Sequence, residues 1–328
     1  MRNEQAVRFR RTPARFPIFA LNRQESMPTS QAAILAPSVT QHYFLEFTAG
    51  GEGHPGDLIR ALCEVLETLR KREEIQAVMG FGSALYRTLA PGALPSPLAP
   101  FPTLQGRGGK CVPSTQNDLW LWLSGMARDR VFSAALETHR RLGAAATLRM
   151  DQPAFTYLDS RDLTGFIDGT ANPQGDDARA AALIPEDAPG AGGSHVLAMR
   201  WIHNLPAFHA LAVSEQEKVI GRTKPDSVEL RDPDKPETSH ISRVEVDVGG
   251  EEAVIFRRSV PFGTVSEHGL YFLGFSADPS RFMLMLKRMY GLTEDGLEDR
   301  LTDFSRPTHS AFYYAPSEEA LREVLRMR

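Results

Sequence analysis

The chain has 328 residues, of which 42% are hydrophobic and 24% charged, with a formal net charge of −4. At ~100–200 residues per domain, that length holds two domains or one large one. The small negative charge gives no electrostatic basis for binding nucleic acid or an anionic membrane, and no apolar run approaches the ~20 residues of a membrane-spanning helix.

The first 26 residues carry six arginines, two acids and no lysine. Arg10-Arg11 resembles the start of a twin-arginine signal. The apolar segment "FPIFAL" that follows is short, opens on Pro17 and leads to no small-residue cleavage site. The expectation is a disordered extension upstream of a start at Met27.

From there the elements run in a regular order. A strand over 42–48 precedes a helix over 55–72, with apolar residues Leu58, Ile59, Leu62, Val65, Leu66 and Leu69 at helical spacing. A strand over 76–83 is followed by a long Pro- and Gly-rich loop, 87–117. A strand over 118–124 places Trp120 and Trp122 on one core face. A helix over 127–142, with His139 on its surface, and a strand over 144–150 complete the set. The stretch 161–193 is punctuated by Gly and Pro. A second set follows: strand 195–203, helix 206–219 ending at Gly221, strand 242–248, strand 252–260, strand 269–276, helix 278–291 and a last strand near 311–314.

This is a β-α-β-β-α-β order met twice, the ferredoxin-like pattern. It predicts an α+β protein with antiparallel sheets and helices packed outside, divided at residues 27–152 and 153–328. Two such sheets facing each other bury a core and leave a cleft between the halves for a cofactor. The two cysteines, Cys63 in the first helix and Cys111 in the long loop, form no CxxC. That disfavours an iron–sulfur or structural zinc site and suits a reducing, cytoplasmic location.

Several polar residues stand out. Asp168 lies in "GFIDGTANP", with glycines at 165 and 169 to permit close backbone approach and positive φ. His240, in "KPETSHISRVEVDV", reads as the mouth of a strand in which Val244, Val246 and Val248 alternate. In "AVIFRRSVPFG", Ala253, Ile255, Arg257 and Ser259 share one strand face, so an Arg and a Ser on a core face require a buried partner. Arg222 follows the glycine that ends a helix. Taken singly, these are a turn aspartate, a hydrogen-bonded histidine and ion-paired or solvated arginines. There is no GxSxG, HExxH or phosphate loop. The residues alone define a buried polar site of open function.

"GFIDGTANP", "GRTKPDSVEL…KPETSH", "FRRSVPFGT", "GLYFLGFS" and "FYYAPS", in that order, resemble the dye-decolourising haem peroxidases, in particular their compact bacterial class. The resemblance runs from about residue 150 to 316 and less distinctly back to about residue 30. It implies two ferredoxin-like halves forming a dimeric α+β barrel, with one haem b per subunit in the C-terminal half. It implies reduction of H₂O₂ through a ferryl intermediate and one-electron oxidation of phenolic or dye-like donors. Carried over by position, His240 is the proximal iron ligand, Asp168 the distal acid–base and Arg257 the distal arginine. Ser259 falls where the family has Asn or Ser, and Arg222 resembles the arginine that meets a haem propionate. Asp303, in "LTDFS", falls where some members place the carboxylate behind the proximal histidine. The resemblance also implies a homo-oligomer, dimer or higher. The alternative is a non-catalytic haem-binding protein on the same scaffold, which would need neither Asp168 nor Arg257.

Overall fold

The structure, a computed structural model, describes residues 28–50, 55–92, 94–95 and 97–327. The expected disordered extension, residues 1–26, lies outside the described residues. The first half contains β1 (Gln41–Ala49), α1 (Pro55–Arg70), β2 (Gln76–Phe81), α2 (Ser83–Leu89), the short β3 (Leu104–Gln105) and β4 (Cys111–Val112), β5 (Leu119–Gly125), α3 (Arg128–Leu142) and β6 (Ala146–Phe155). A connection containing α4 (Gly175–Ala182) leads into the second half. There follow β7 (Ser194–His203), α5 (Leu205–His209), α6 (Val213–Ile220), α7 (His240–Val244), β8 (Asp247–Val248), β9 (Glu251–Glu252), β10 (Phe256–Arg257) and β11 (Val260–Gly263). The chain closes with β12 (His268–Ser276), α8 (Ser280–Met289), β13 (Ser305–Ala315) and α9 (Glu318–Val324).

The strand order is β10-β12-β7-β13-β2-β5-β1-β6, with β11 also paired to β12. Both halves therefore show the same arrangement: numbering each half's main strands in chain order, 2-3-1-4, all antiparallel. This is the ferredoxin-like order, found twice as expected. The halves join where β13 meets β2, Tyr314 opposite Phe81. At the far ends β11 packs on β6, so the sheet curls into a barrel.

Burial follows from this closure. Every residue of β5, "LWLWLSG", is buried because both faces are covered. Leu119, Leu121 and Leu123 pack beneath α1 and α3, while Trp120 and Trp122 point into the barrel. The interior is filled by large rings, among them Phe44 stacked on Tyr271 with centroids 3.7 Å apart. The cleft expected between the halves is thus occupied by side chains. The space for a ligand lies instead on the outer face of the second sheet, inside the C-terminal half.

Other local readings also change. The helix expected over 206–219 is two helices, α5 and α6, because the Gln216 side-chain amide takes the Leu211 carbonyl at the break. Of the strand expected over 242–248, only Asp247–Val248 is strand (β8), and residues 242–244 belong to α7. Ser239 caps it, accepting from Ser242 N and donating to Ser242 Oγ, and this local cap overrides the valine alternation. His240 is accordingly the first residue of a short helix, not the mouth of a strand. The strand expected over 252–260 breaks into β9, β10 and β11. Cys111 lies in β4 and is exposed.

Candidate active site

The cavity is walled on one side by Leu197, Met199 and Trp201 of β7 and on the other by Phe282, Met285 and Leu286 of α8. Alternate residues of β7 point to it because successive strand side chains face opposite ways; Val196 and Ala198 go to the barrel interior. Ala253, Ile255, Arg257 and Ser259 all line it, as the period-two reading predicts. So do Asp168, Arg222 and His240. Five of the six candidate polar residues therefore meet at one apolar cavity.

Asp168 reaches the cavity because the chain turns tightly around it. Gly165 (φ 91) and Gly169 (φ 80) both sit in the left-handed region, and a Cβ at Gly165 would come within 2.7 Å of Lys224 Cε. The Asp168 amide donates to Ser160 O at 2.9 Å, and Asp162 N to Phe166 O at 2.9 Å, fixing the loop. Burial raises the proton affinity of Asp168; the Arg257 guanidinium opposes that rise, and the nearby Asp162 carboxylate adds to it.

Arg257 lies opposite Gly274 of β12, and its backbone N–H and C=O are both bonded on the other side by the Asn172 side chain. Among the described residues no hydrogen bond holds its guanidinium, which faces the cavity. Ser259 accepts from Leu273 N at 3.3 Å across the strands, tying this wall to β12. Arg222 follows Gly221, the left-handed end of α6 (φ 94), and is anchored by Ser227 O at 2.9 Å and Glu229 at 3.4 Å.

His240 presents a fixed imidazole. Its Nδ1 lies 2.7 Å from Asp299 Oδ2, so Nε2 is the nitrogen left for the cavity. Asp299 is fully buried, and its other oxygen caps the 3₁₀ turn over Arg300–Asp303 by accepting from Leu301 N at 2.8 Å. The expected partner, Asp303, is one turn further on and half-exposed. It pairs with Lys110 at 2.5 Å and does not line the cavity. The assignment of Asp303 is therefore corrected to Asp299: the N-cap position, not the end of the turn, points inward. "EDRLTD" carries that signal as an aspartate placed to cap the turn that follows.

Two further residues on the cavity wall were not singled out in the sequence. Asp162 and His203 meet at 3.1 Å, and His203 Nδ1 pairs with Ser305 Oγ at 2.8 Å. Burial alone would raise Asp162, but His203 and two hydrogen bonds from Thr164 bring it down to about 2. Nothing local marks this pair, since its members are joined only by the fold.

Comparison with known proteins agrees with this geometry. The family model described as "Dyp-type peroxidase, N-terminal" matches residues 31–156, and "Dyp-type peroxidase, C-terminal" matches residues 159–320. A dye-decolorizing peroxidase of Mycobacterium tuberculosis is 34% identical over 301 residues, covering 89% of this chain and 90% of that protein. One from Rhodococcus erythropolis is 33% identical, covering 90% and 89%. Among solved structures, a putative dyp-type peroxidase from Shewanella oneidensis superposes with a TM-score of 0.84 at 30% identity, covering 92% of this chain and 99% of that one. A variant of DypB from Rhodococcus jostii RHA1 in complex with haem gives a TM-score of 0.83 at 32% identity, covering 91% and 100%. Among the described residues no helix is long and apolar enough to cross a membrane. With both halves matched and the polar residues of the match gathered at one cavity, the chain belongs to the Dyp-type peroxidase family.

Proposed function

We propose that the cavity takes one haem b per chain and that its walls run the reaction of a haem peroxidase with H₂O₂. One observation carries this reading: a carboxylate-anchored imidazole, an uncommitted guanidinium and a carboxylate of raised proton affinity line the same apolar cavity. An apolar slot offering a single imidazole nitrogen is a donor set that haem iron accepts, and Arg222 at the wall suits a porphyrin carboxylate. When bound, haem supplies the iron at which peroxide is activated and from which oxidising equivalents pass to donors.

The chain's residues do the rest. His240 would ligate the iron through Nε2, and the buried Asp299 carboxyl group on Nδ1 fixes the ring and would raise its donor strength. Asp168 takes a proton from one peroxide oxygen and delivers it to the other. Arg257 stabilises the negative charge that develops as the O–O bond breaks. Ser259 holds the arginine's wall to β12. Small phenolic or dye-like molecules are the proposed electron donors, one electron at a time.

Two free cysteines, Cys63 and Cys111, support a reducing, cytoplasmic location, which cell fractionation tests. Exposed Phe132 and Leu136, one turn apart on α3, support a homo-oligomer, which sedimentation tests. The catalytic reading is tested by purifying the protein with haem and titrating it with peroxide. A Soret band that changes on adding one equivalent, and recovers on adding a phenol, is the expected result. Stoichiometric haem with no response to peroxide would leave only a haem-binding protein.

A further inference from the structure

The carboxylate and the guanidinium proposed to act on peroxide come from distant parts of the chain, and something must fix the distance between them. β10, which carries Arg257, is only two residues long and is paired on one side, Phe256 with Phe275 and Arg257 with Gly274. The Arg257 N–H and C=O point away from that pairing, toward an open edge that has no further strand. There the carboxamide of Asn172 meets both: Arg257 N donates to Asn172 Oδ1 at 2.8 Å, and Asn172 Nδ2 donates to Arg257 O at 2.9 Å. One side chain thus stands in for a residue of a neighbouring strand.

Asn172 is itself fixed to the Asp168 loop. Its amide donates to Gly169 O at 3.0 Å, closing a turn over residues 169–172 directly after Asp168. Its carbonyl accepts from Gln174 Nε2 at 3.1 Å, and Pro173 stiffens the exit. On the other side of the turn, Thr170 Oγ1 meets Ser227 Oγ at 3.0 Å, and Ser227 O holds Arg222. A short series of directional bonds therefore runs from Gly169, the residue after Asp168, through Asn172 to the Arg257 backbone.

We infer that Asn172 is a positioning residue that sets the spacing of Asp168 and Arg257 by clamping the Arg257 backbone. The inference rests on the peroxidase reading above. The chemistry is specific to asparagine. Aspartate loses the donor, serine cannot span both groups, and glutamine moves the amide outward by a methylene. Turn formation alone would not need the side chain to reach a residue 85 positions away.

The test compares haem-loaded wild type, Asn172→Ala, Asn172→Asp, Arg257→Leu and the Asn172→Ala/Arg257→Leu double variant, with Gln174→Ala as a turn control. Three quantities are read: the stopped-flow rate with peroxide, fluoride affinity of the ferric protein by absorbance, and melting temperature. Fluoride is the readout beyond turnover, because an iron-bound anion is held by a nearby donor such as a placed guanidinium. Misplacement of a reacting group by ~1 Å can cost ~10²-fold, so both Asn172 variants should react about 10- to 100-fold more slowly and bind fluoride several-fold more weakly. Gln174→Ala, which leaves both Asn172–Arg257 bonds in place, should lose much less than either Asn172 variant. Because Asn172 acts through Arg257, its removal should cost nothing further in the Arg257→Leu background. Wild-type peroxide rate and fluoride affinity in Asn172→Ala would overturn the inference, as would additive losses in the double variant. If Asn172→Ala does not fold, Asn172→Asp and its double with Arg257→Leu are read the same way. If wild type itself ignores peroxide, the peroxidase reading fails first; if wild type reacts and Asn172→Ala equals it, only this inference fails.

Discussion

The Nδ1 atom of His240 lies 2.7 Å from Oδ2 of Asp299, a carboxylate with no solvent exposure. The two are brought together by a helix start and a turn start. His240 opens α7 behind the Ser239 cap, and Asp299 caps the turn over Arg300–Asp303. The turn spends one oxygen of Asp299 on Leu301 N and leaves the other for the imidazole. An anionic partner behind a ligating histidine fixes its tautomer and strengthens it as a donor.

That relationship separates two aspartates four residues apart. Asp299→Ala should weaken haem retention or slow the peroxide reaction by ~10–100-fold, the usual cost of losing a partner behind a metal ligand. Asp303→Ala removes only a half-exposed contact with Lys110 and should leave both unchanged. Haem transfer to apomyoglobin and stopped-flow rates measure the difference. Equal losses in the two variants would restore Asp303 as the partner.

Asp162 and Asp168, both on the cavity wall, should respond to pH with opposite signs. Asp162 is held at about 2 in the folded protein, below the ordinary ~3.9, so it adds stability above that value and loses it as pH falls from about 4 toward 2. Asp162→Asn should therefore destabilise the protein at pH 7 by on the order of 2 kcal/mol, with the gap closing in that acid window. Asp168 is raised, so holding its carboxylate ionised costs stability, and that cost appears as pH rises through its folded value. Asp168→Asn should stabilise the haem-free protein at pH 7. For the same reason the peroxide rate should fall as pH drops through the raised value, since a protonated Asp168 cannot accept the peroxide proton. Denaturant melts at several pH values check the two stability statements, and stopped-flow rates of the haem-loaded protein over the same pH range check the third.

The first described segment is a structural strap. Gln31 is buried and bonds Met79 N and O at 2.8 Å each and Pro316 O at 3.0 Å. Gln31→Ala strands buried backbone groups at ~1–3 kcal/mol each, and chemical denaturation should show a loss of at least ~2 kcal/mol. Removing residues 1–26 leaves these bonds intact and should preserve folding, haem binding and turnover. Loss of haem or solubility in that shortened chain would show that the arginine-rich segment is needed.

Much of this architecture is visible in the sequence because amphipathic spacing carries it. Leu58 to Leu69 mark α1, and the face Ala253, Ile255, Arg257, Ser259 is the cavity wall. The glycines around Asp168 adopt the positive φ that their spacing suggests. The errors have physical causes. Val244, Val246 and Val248 alternate like a strand, but the Ser239 cap starts a helix that runs through Val244, so only Asp247–Val248 is left as strand. Asp299 and Asp303 look alike in sequence, and only the direction of the turn separates them. Asp162 with His203, and Asn172 with Arg257, are contacts between distant segments that no local pattern carries. Two sheets facing each other imply a cleft between the halves, but the rings of Phe44, Trp120, Tyr271 and Tyr313 fill that space.

The central claim is that Asp168 and Arg257 act on peroxide at an iron held by His240. The most direct test is stopped-flow mixing of haem-loaded Asp168→Asn/Arg257→Leu double variant with one equivalent of H₂O₂, beside wild type. General acid–base groups typically contribute ~10²–10⁴-fold, and the double variant should be slower by at least that much. Its resting Soret band should stay close to wild type, because neither residue ligates the iron. A double variant that reacts at the wild-type rate would contradict the account and return Asp168 to the role of a turn residue.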